Sequence, residues 1–368
     1  MAHKKLTVAE IAAEIGATVF GDDTREISGV NVVERATAAE LAFVGCNKNL
    51  SRVESTKALV IIGPTSAEPH IKNYPDKTFL LVGEPETAML QIAASLAAKS
   101  IRSWFGISSR AVVADSASIG PKTNVYPLAV IGENVTIGEH CDIGPGVVIG
   151  DGCVIGDNVS IDANVVIYHD VIIGDDVSIQ AGSVIGAEGF GYRVVEGRSE
   201  RLPHLGTVRI ENDVEIGACT TIDRAKIGDT RIDSGTRIDN QVMIAHNCQI
   251  GKHNIVVSQV GIAGSVSTGE HVVMAGQAGI ADHVHLEDGV VIGAKTGVHR
   301  NMQGGKAYLG IPARDAALHA REQMALKRLP EMRSTVKQLE KQVADLEERL
   351  AGLLQTQSEI PPESRDAA

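Results

Sequence analysis

Ile131-Gly132-Glu133-Asn134-Val135-Thr136-Ile137-Gly138-Glu139-His140-Cys141-Asp142-Ile143-Gly144-Pro145-Gly146-Val147-Val148-Ile149-Gly150 places an aliphatic residue at every sixth position, each followed by glycine. Extended outward, the ladder starts at Ile107 and runs through Val113, Ile119, Val125, Ile131, Ile137, Ile143, Ile149, Ile155, Ile161, Ile167, Ile173 and Ile179 to Ile185 without a miss. It pauses over residues 186–209, resumes at Ile210, Ile216 and Ile222, and takes a four-residue insertion over residues 225–228. It then continues through Ile232, Ile238, Ile244, Ile250, Val256, Ile262, Thr268, Met274, Ile280, Leu286 and Ile292 to Val298.

A period of six is neither that of a helix nor the alternation of a simple strand. It fits a short strand plus a corner, three of which close one triangular coil, with the aliphatic residue filling the prism and glycine relieving the turn. The 29 rungs give nearly ten coils. At roughly 4.8 Å per strand layer, the prism is on the order of 45 Å long.

The composition agrees. Of 368 residues 38 are glycine and only 3% are aromatic, which suits many tight corners around small aliphatic interiors. A formal net charge of -12 disfavours general nucleic-acid binding, which needs a basic field. The longest apolar stretches, such as residues 58–62, are far too short to span a bilayer, and no apolar run follows the first five residues. The expectation is a soluble cytoplasmic protein without an integral membrane segment. The five cysteines, Cys46, Cys141, Cys153, Cys219 and Cys248, form no CxxC pair and are expected to be reduced, buried thiols.

Residues 1–103 lack the ladder and read as a separate small α/β domain. Thr7-Val8-Ala9-Glu10 spells a capping box opening a helix with Ile11 and Ile15 on one face. Residues 58–62 and 79–82 read as buried strands and residues 87–99 as an amphipathic helix. The β-helix occupies residues 104–312. Residues 313–357 read as helical, with Met332, Val336, Leu339, Val343, Leu346, Leu350 and Leu353 alternating spacings of four and three as a short heptad seam that reinforces an oligomer. The Pro-rich, charged residues 358–368 read as a disordered tail.

A prism wall has no deep cleft, so a site must come from loops, a neighbouring prism or the appended domain. Residues 186–209, with Gly189-Phe190-Gly191-Tyr192, form the largest excursion and a natural wall. Polar residues concentrate in Ile238-Asp239-Asn240-Gln241-Val242-Met243-Ile244-Ala245-His246-Asn247. A neutral histidine suits proton removal from an amine near neutral pH. Spacing alone leaves His246 either this base or a decoration of the outer face, and Asp239 either its partner or a corner cap. His283 follows two coils and one residue later, roughly 10 Å away and too far to share a metal with bonds of about 2 Å. No metal site is expected. Lys295, Arg300 and the bases that follow to Arg333 reverse the local charge, as either a solvated helix face or a docking surface for an acidic carrier protein.

The segments Gly186-Ala187-Glu188-Gly189-Phe190-Gly191-Tyr192, Glu215-Ile216-Gly217-Ala218-Cys219-Thr220-Thr221-Ile222-Asp223-Arg224 and Ile238 to Asn247 resemble the UDP-3-O-acylglucosamine N-acyltransferases of lipid A synthesis, and the order of domains matches over nearly the whole chain. The resemblance implies a mainly β fold: a left-handed parallel β-helix, against the usual right-handed crossover, with a small N-terminal α/β nucleotide-sugar-binding domain, a C-terminal helical tail and trimeric assembly. It implies transfer of a 3-hydroxyacyl group from acyl carrier protein, where phosphopantetheine carries it, to the 2-amino group of a UDP-glucosamine acylated at position 3. No further cofactor is implied.

In that resemblance His246 matches the general base, Asp239 and His283 its supporting polar residues, and Gly264 the backbone N–H that stabilises the oxyanion. Phe43, Lys48, Asn49, Phe190 and Tyr192 match the acceptor-binding regions, and Arg300 with Lys295 the carrier-protein contact. One segment departs from the family pattern of Phe followed by Asn-Pro-Lys-Tyr. Phe43 and Lys48 stand, but Cys46, Asn47 and Asn49 replace the rest, and the missing aromatic removes a base-stacking surface of about 1–3 kcal/mol. Two rivals remain at this stage: an O-acyltransferase of the same pathway, which the extra N-terminal domain argues against, and a noncatalytic trimeric scaffold.

Overall fold

The computed structural model describes residues 5–96, 104–310 and 316–358, without the side chains of Asn47, Lys48, 316–320 and 352–358. The expected tail beyond Ser358 lies outside the described residues. The chain divides into two compact units, residues 1–105 and 106–368.

In the first unit, helix α1 (Val8–Ile15) begins as its sequence dictates. Thr7 Oγ1 accepts from the Glu10 amide at 3.2 Å, and the Glu10 carboxylate accepts from the Thr7 amide at 2.7 Å. Gly16, at φ 64°, closes the helix in the left-handed conformation that glycine adopts without steric cost. Val8 and Ile11 are buried on the side facing a five-stranded sheet core. The sheet order is Thr18–Phe20, Thr78–Val82, Val60–Pro64, Glu40–Phe43, Gly29–Val30, parallel throughout except for its first pair. Helix α2 (Pro85–Leu96) starts two residues before the expected position because proline is at ease in a first helical turn.

In the second unit the six-residue period becomes a three-sided parallel β-helix. Two faces have ten strands each and the third has nine. The first face runs from Asn124–Val125 to Ala307–Tyr308, the second from Val112–Val113 to Gly297–Val298, and the third from Ser118–Ile119 to His285–Leu286. Strands eighteen residues apart pair in register, as in Ile131, Ile149, Ile167 and Ile185 on the second face. The rungs from Ile131 to Ile292 are buried in one continuous core, joined by Val135, Cys141, Val147 and Cys153. Glycine follows the rung because the coils touch there: a Cβ on Gly138 would stand 2.6 Å from the Gly156 carbonyl oxygen.

Many corners are held in a left-handed backbone conformation, and 19 of these positive-φ residues among those described are not glycine. Asn, Asp, His and Gln recur there, the types that tolerate this region best among side-chain-bearing residues or bond their own backbone. All five cysteines are free thiols. Cys141, Cys153 and Cys248 are buried, but Cys46 and Cys219 are exposed, correcting the expectation for those two. Cys219 sits at a corner, φ 57°, where side chains face outward.

Helix α3 (Ala316–Ser358) carries the heptad residues, and Met332, Val336, Leu339, Val343, Leu346 and Leu350 are all exposed within one chain.

Both interruptions of the ladder leave from one edge of the prism, between its second and third faces. Ile185 and Ile222 lie on the second face, and the chain re-enters at Ile210 and Ile232 on the third. Along the same edge, successive coils place His246 and Asn247, then Gly264 and Ser265, then Asp282 and His283, then Arg300.

Candidate active site

That edge bounds a groove of about 760 Å3. Phe190 and Lys226 come from the two interruptions, His246, Gly264, Asp282 and His283 from the corners, and Met243, Gly261, Gly279 and Gly297 from the second face. The last four occupy equivalent positions in paired strands. With three of them glycine, the groove floor is a bare track with open space where side chains would stand.

His246 is half-buried. Its Nδ1 lies 3.3 Å from Asn247 Oδ1, and an amide oxygen accepts only, so Nδ1 carries the proton and Nε2 the lone pair. Gly264, one coil on, lies directly against Cε1 and Nε2. Burial, then the Lys226 ammonium, holds the imidazole below its ordinary pKa, with His283 adding to this and Asn247 and the Phe190 main chain opposing it. The ring is therefore neutral at pH 7.

The insertion over residues 186–209 is anchored from below. Arg224, a buried cation, donates from Nε to the Gly186 carbonyl at 2.7 Å and from a terminal nitrogen to the His169 carbonyl at 2.6 Å. The insertion then forms a hairpin, Tyr192–Val195 with Arg198–Arg201, turning at Glu196 and Gly197, both at positive φ. Such a pair matches the two-residue turns that suit strand twist. Phe190 and Tyr192 touch each other, ring centroids 4.9 Å apart, and Phe190 is almost wholly exposed at the groove.

Two residues here escaped the sequence reading. His204, 4% exposed, packs its ring 5.3 Å from that of His246, and neither nitrogen has a hydrogen-bond partner, although the Leu202 main chain lies near. Gly189 and Gly191 face it so closely that a Cβ on Gly191 would stand 2.8 Å from its Cε1. Burial, His246 and Lys226 lower its pKa, so it too is neutral. Lys226 comes from the four-residue insertion. The signal for both was only that they lie in interruptions of the ladder.

Asp239 follows a first-face strand, Arg237–Ile238, and the single chain does not bring it to His246. Its carboxylate accepts from the Ser258 hydroxyl and amide and from the Asn240 amide, which hold its pKa below the carboxylate norm. His283 is exposed and donates its amide to the Gly264 carbonyl at 3.1 Å, two coils from His246. Lys295 and Arg300 are exposed, Arg300 being on the same edge. In the first unit, Phe43 ends its strand half-buried and Asn49 is exposed on a 3-10 helix, Asn47–Glu54, while the Lys48 side chain lies outside the described residues. Among the described residues no three His, Cys or carboxylate side chains converge as a metal set would, and no helix is long and apolar enough to cross a membrane.

The bacterial transferase hexapeptide model, built of six repeats, matches residues 116–151 and 152–187. Beyond these repeats, the UDP-3-O-acylglucosamine N-acyltransferase of Nitratidesulfovibrio vulgaris is 48% identical over 94% of this chain and 98% of its own length. The chain belongs to that family. The relative of the same name from Geobacter sp. strain M21 is 49% identical over 94% of this chain and 99% of its own. An Arabidopsis UDP-N-acetylglucosamine acyltransferase shares the fold, with TM-score 0.51 at 24% identity over 62% of this chain and 80% of its own. The prism is thus a left-handed parallel β-helix. The chain is an acyltransferase, and family membership places it in lipid A biosynthesis.

Proposed function

We propose that the protein transfers a 3-hydroxyacyl group from acyl carrier protein to the 2-amino group of UDP-3-O-(3-hydroxyacyl)-glucosamine, with His246 as general base. The observation that carries this reading is the His246 ring, whose neutral Nε2 faces the groove beside Gly264 while Asn247 fixes its other nitrogen. The amine attacks the thioester carbonyl as Nε2 takes its proton. The oxyanion is met by the Gly264 N–H, which has no acceptor among the described residues. Collapse of the tetrahedral intermediate releases the carrier thiolate, which takes the proton from His246. The acyl group arrives activated, so no cofactor is required.

The bare track of Gly261, Gly279 and Gly297 supports an extended apolar chain in the groove. His283 and Asp239 act as supporting polar groups, Asp239 across a homotrimer interface, since one chain leaves it on another face. In the second unit Phe190 and Tyr192 contact the UDP-sugar; in the first unit, taken by itself, Phe43, Lys48 and Asn49 carry a nucleotide-contacting role. Arg300 and Lys295 meet the acidic carrier. The reaction runs in the cytoplasm.

His246→Ala is expected to abolish amide formation while leaving the oligomer intact. Near-normal turnover would sink the base. Mass spectrometry of products, with UDP-N-acetylglucosamine and the amine offered together, separates N- from O-transfer, and no product from any acyl-carrier thioester would reduce the protein to a scaffold.

A further inference from the structure

The four-residue insertion has no counterpart in the regular coils, and its only charge between Ala225 and Gly228 is Lys226. Its backbone is pinned on both sides. The Lys226 amide donates to Asn247 Oδ1 at 3.0 Å, its carbonyl accepts from the Leu205 amide at 2.9 Å, and Asn247 Nδ2 donates to the Ile227 carbonyl at 2.9 Å. Asn247 Oδ1 is also the acceptor that fixes His246 Nδ1. One carboxamide therefore sets the distance between the base and the lysine.

The lysine stem packs beside Gly191, where a Cβ would stand 3.1 Å from Lys226 Cε and 2.8 Å from His204 Cε1. The ammonium is close enough to act on both His246 and His204. Among the described residues it has no carboxylate partner. Glu188 is paired to Arg201, and Asp282 stands two coils along the groove from His246. A half-buried cation beside two neutral imidazoles, on the wall of an open groove, has the chemistry to hold an anion.

We propose that Lys226 holds the diphosphate of the nucleotide-sugar acceptor, and so sets the acceptor's amine against His246. This rests on the proposed function, and the chemistry of that acceptor supplies the argument. In a glucosamine joined to a diphosphate at C1, the reacting nitrogen is on C2, the neighbouring carbon. A base that reaches the amine must have the phosphates beside it, and Lys226 is the cation tied to the base. His204, packed beside His246 and close to the lysine stem, is uncharged, so it adds no competing cation. Lys226 is thus a specificity residue for the diphosphate rather than for the sugar or the acyl chains.

Calorimetry on the full-length protein with two probes, UDP and uridine, tests this. Lys226→Gln is expected to weaken UDP about tenfold, as loss of one charged hydrogen bond does, and to leave uridine unchanged. Lys226→Arg should retain most of the UDP affinity. The proposal is overturned if Lys226→Gln leaves UDP affinity intact, if UDP and uridine weaken together, or if the wild type binds UDP no tighter than uridine. Amide formation by the wild type is scored separately. If it fails, the functional reading falls, while the comparison of UDP with uridine still decides the subsite.

Discussion

His246 and Gly264, eighteen residues apart, are packed so closely that a Cβ at position 264 would stand 2.6 Å from Cε1 and 2.9 Å from Nε2 of the histidine. Asn247 holds its far nitrogen and His204 packs beside it, so the ring can yield only toward the groove. Gly264→Ala is therefore expected to fold normally but to lower kcat roughly a hundredfold, by displacing the base and crowding the oxyanion position. Turnover and thermal unfolding of the variant check this, and wild-type turnover would remove Gly264 from the mechanism.

The pH profile has a defined sign. A general base works when neutral, so kcat/KM rises with pH through the pKa of His246. Burial and Lys226 lower that pKa, and the acid limb should fall below the ordinary imidazole value of about 6.5. The groups acting on the ring are Lys226 and His204 from the interruptions, His283 from further along the edge, the uncharged Asn247 and the Phe190 main chain, while Asp282 lines the groove two coils away. Lys226→Gln removes the nearby charge and is expected to move the limb to higher pH. A limb that stays put would show that the ammonium does not reach the base.

Arg224→Met tests the anchor of the large insertion. It strips donors from the carbonyl of the buried Gly186, which would be left unpaired, and from the carbonyl of the exposed His169, which water can reach. A cost of about 1–3 kcal/mol is expected, that of one buried acceptor left unsatisfied. Chemical denaturation measures the cost, and limited proteolysis should show new cleavage within residues 186–209.

Thr268→Val makes the ladder uniformly aliphatic and is nevertheless expected to destabilise by about 1–2 kcal/mol. Thr268 Oγ1 accepts from the Gly251 amide at 2.9 Å and from the buried Asn254 side chain, which valine would leave short of a partner. A rise in unfolding temperature would contradict this.

The prism was legible because every coil repeats the same local problem. An inward aliphatic residue and a glycine at the closest approach of two backbones recur every six residues, so the pattern is visible in any short window. Thr268 is the exception that shows the rule, since its polarity answers a side chain fourteen residues away. His246 and Gly264 were reached through resemblance to a family, and the structure adds that they are in contact. His204 and Lys226 were not legible. Each lies off the period, and each gains its place from contacts across long separations, His204 to His246 and Lys226 to Asn247. The exposed Cys219 was missed for a related reason: whether a thiol faces in or out depends on its phase relative to the rung, not on its type.

That phase gives the two interruptions a further meaning. Both are of irregular length, yet each returns the chain to the face that an uninterrupted coil would have reached. In a triangular stack a gain or loss of six residues turns everything downstream by a third of a revolution, whereas eighteen residues only change the height. Deleting one hexad after Ile210, such as residues 211–216, would carry His246 to a different edge from Phe190, with every downstream rung still buried. The folded prism would look sound and lack the groove. Insertions in this architecture are thus tolerated by angle rather than by length, and the edge that bounds the groove is an angular address.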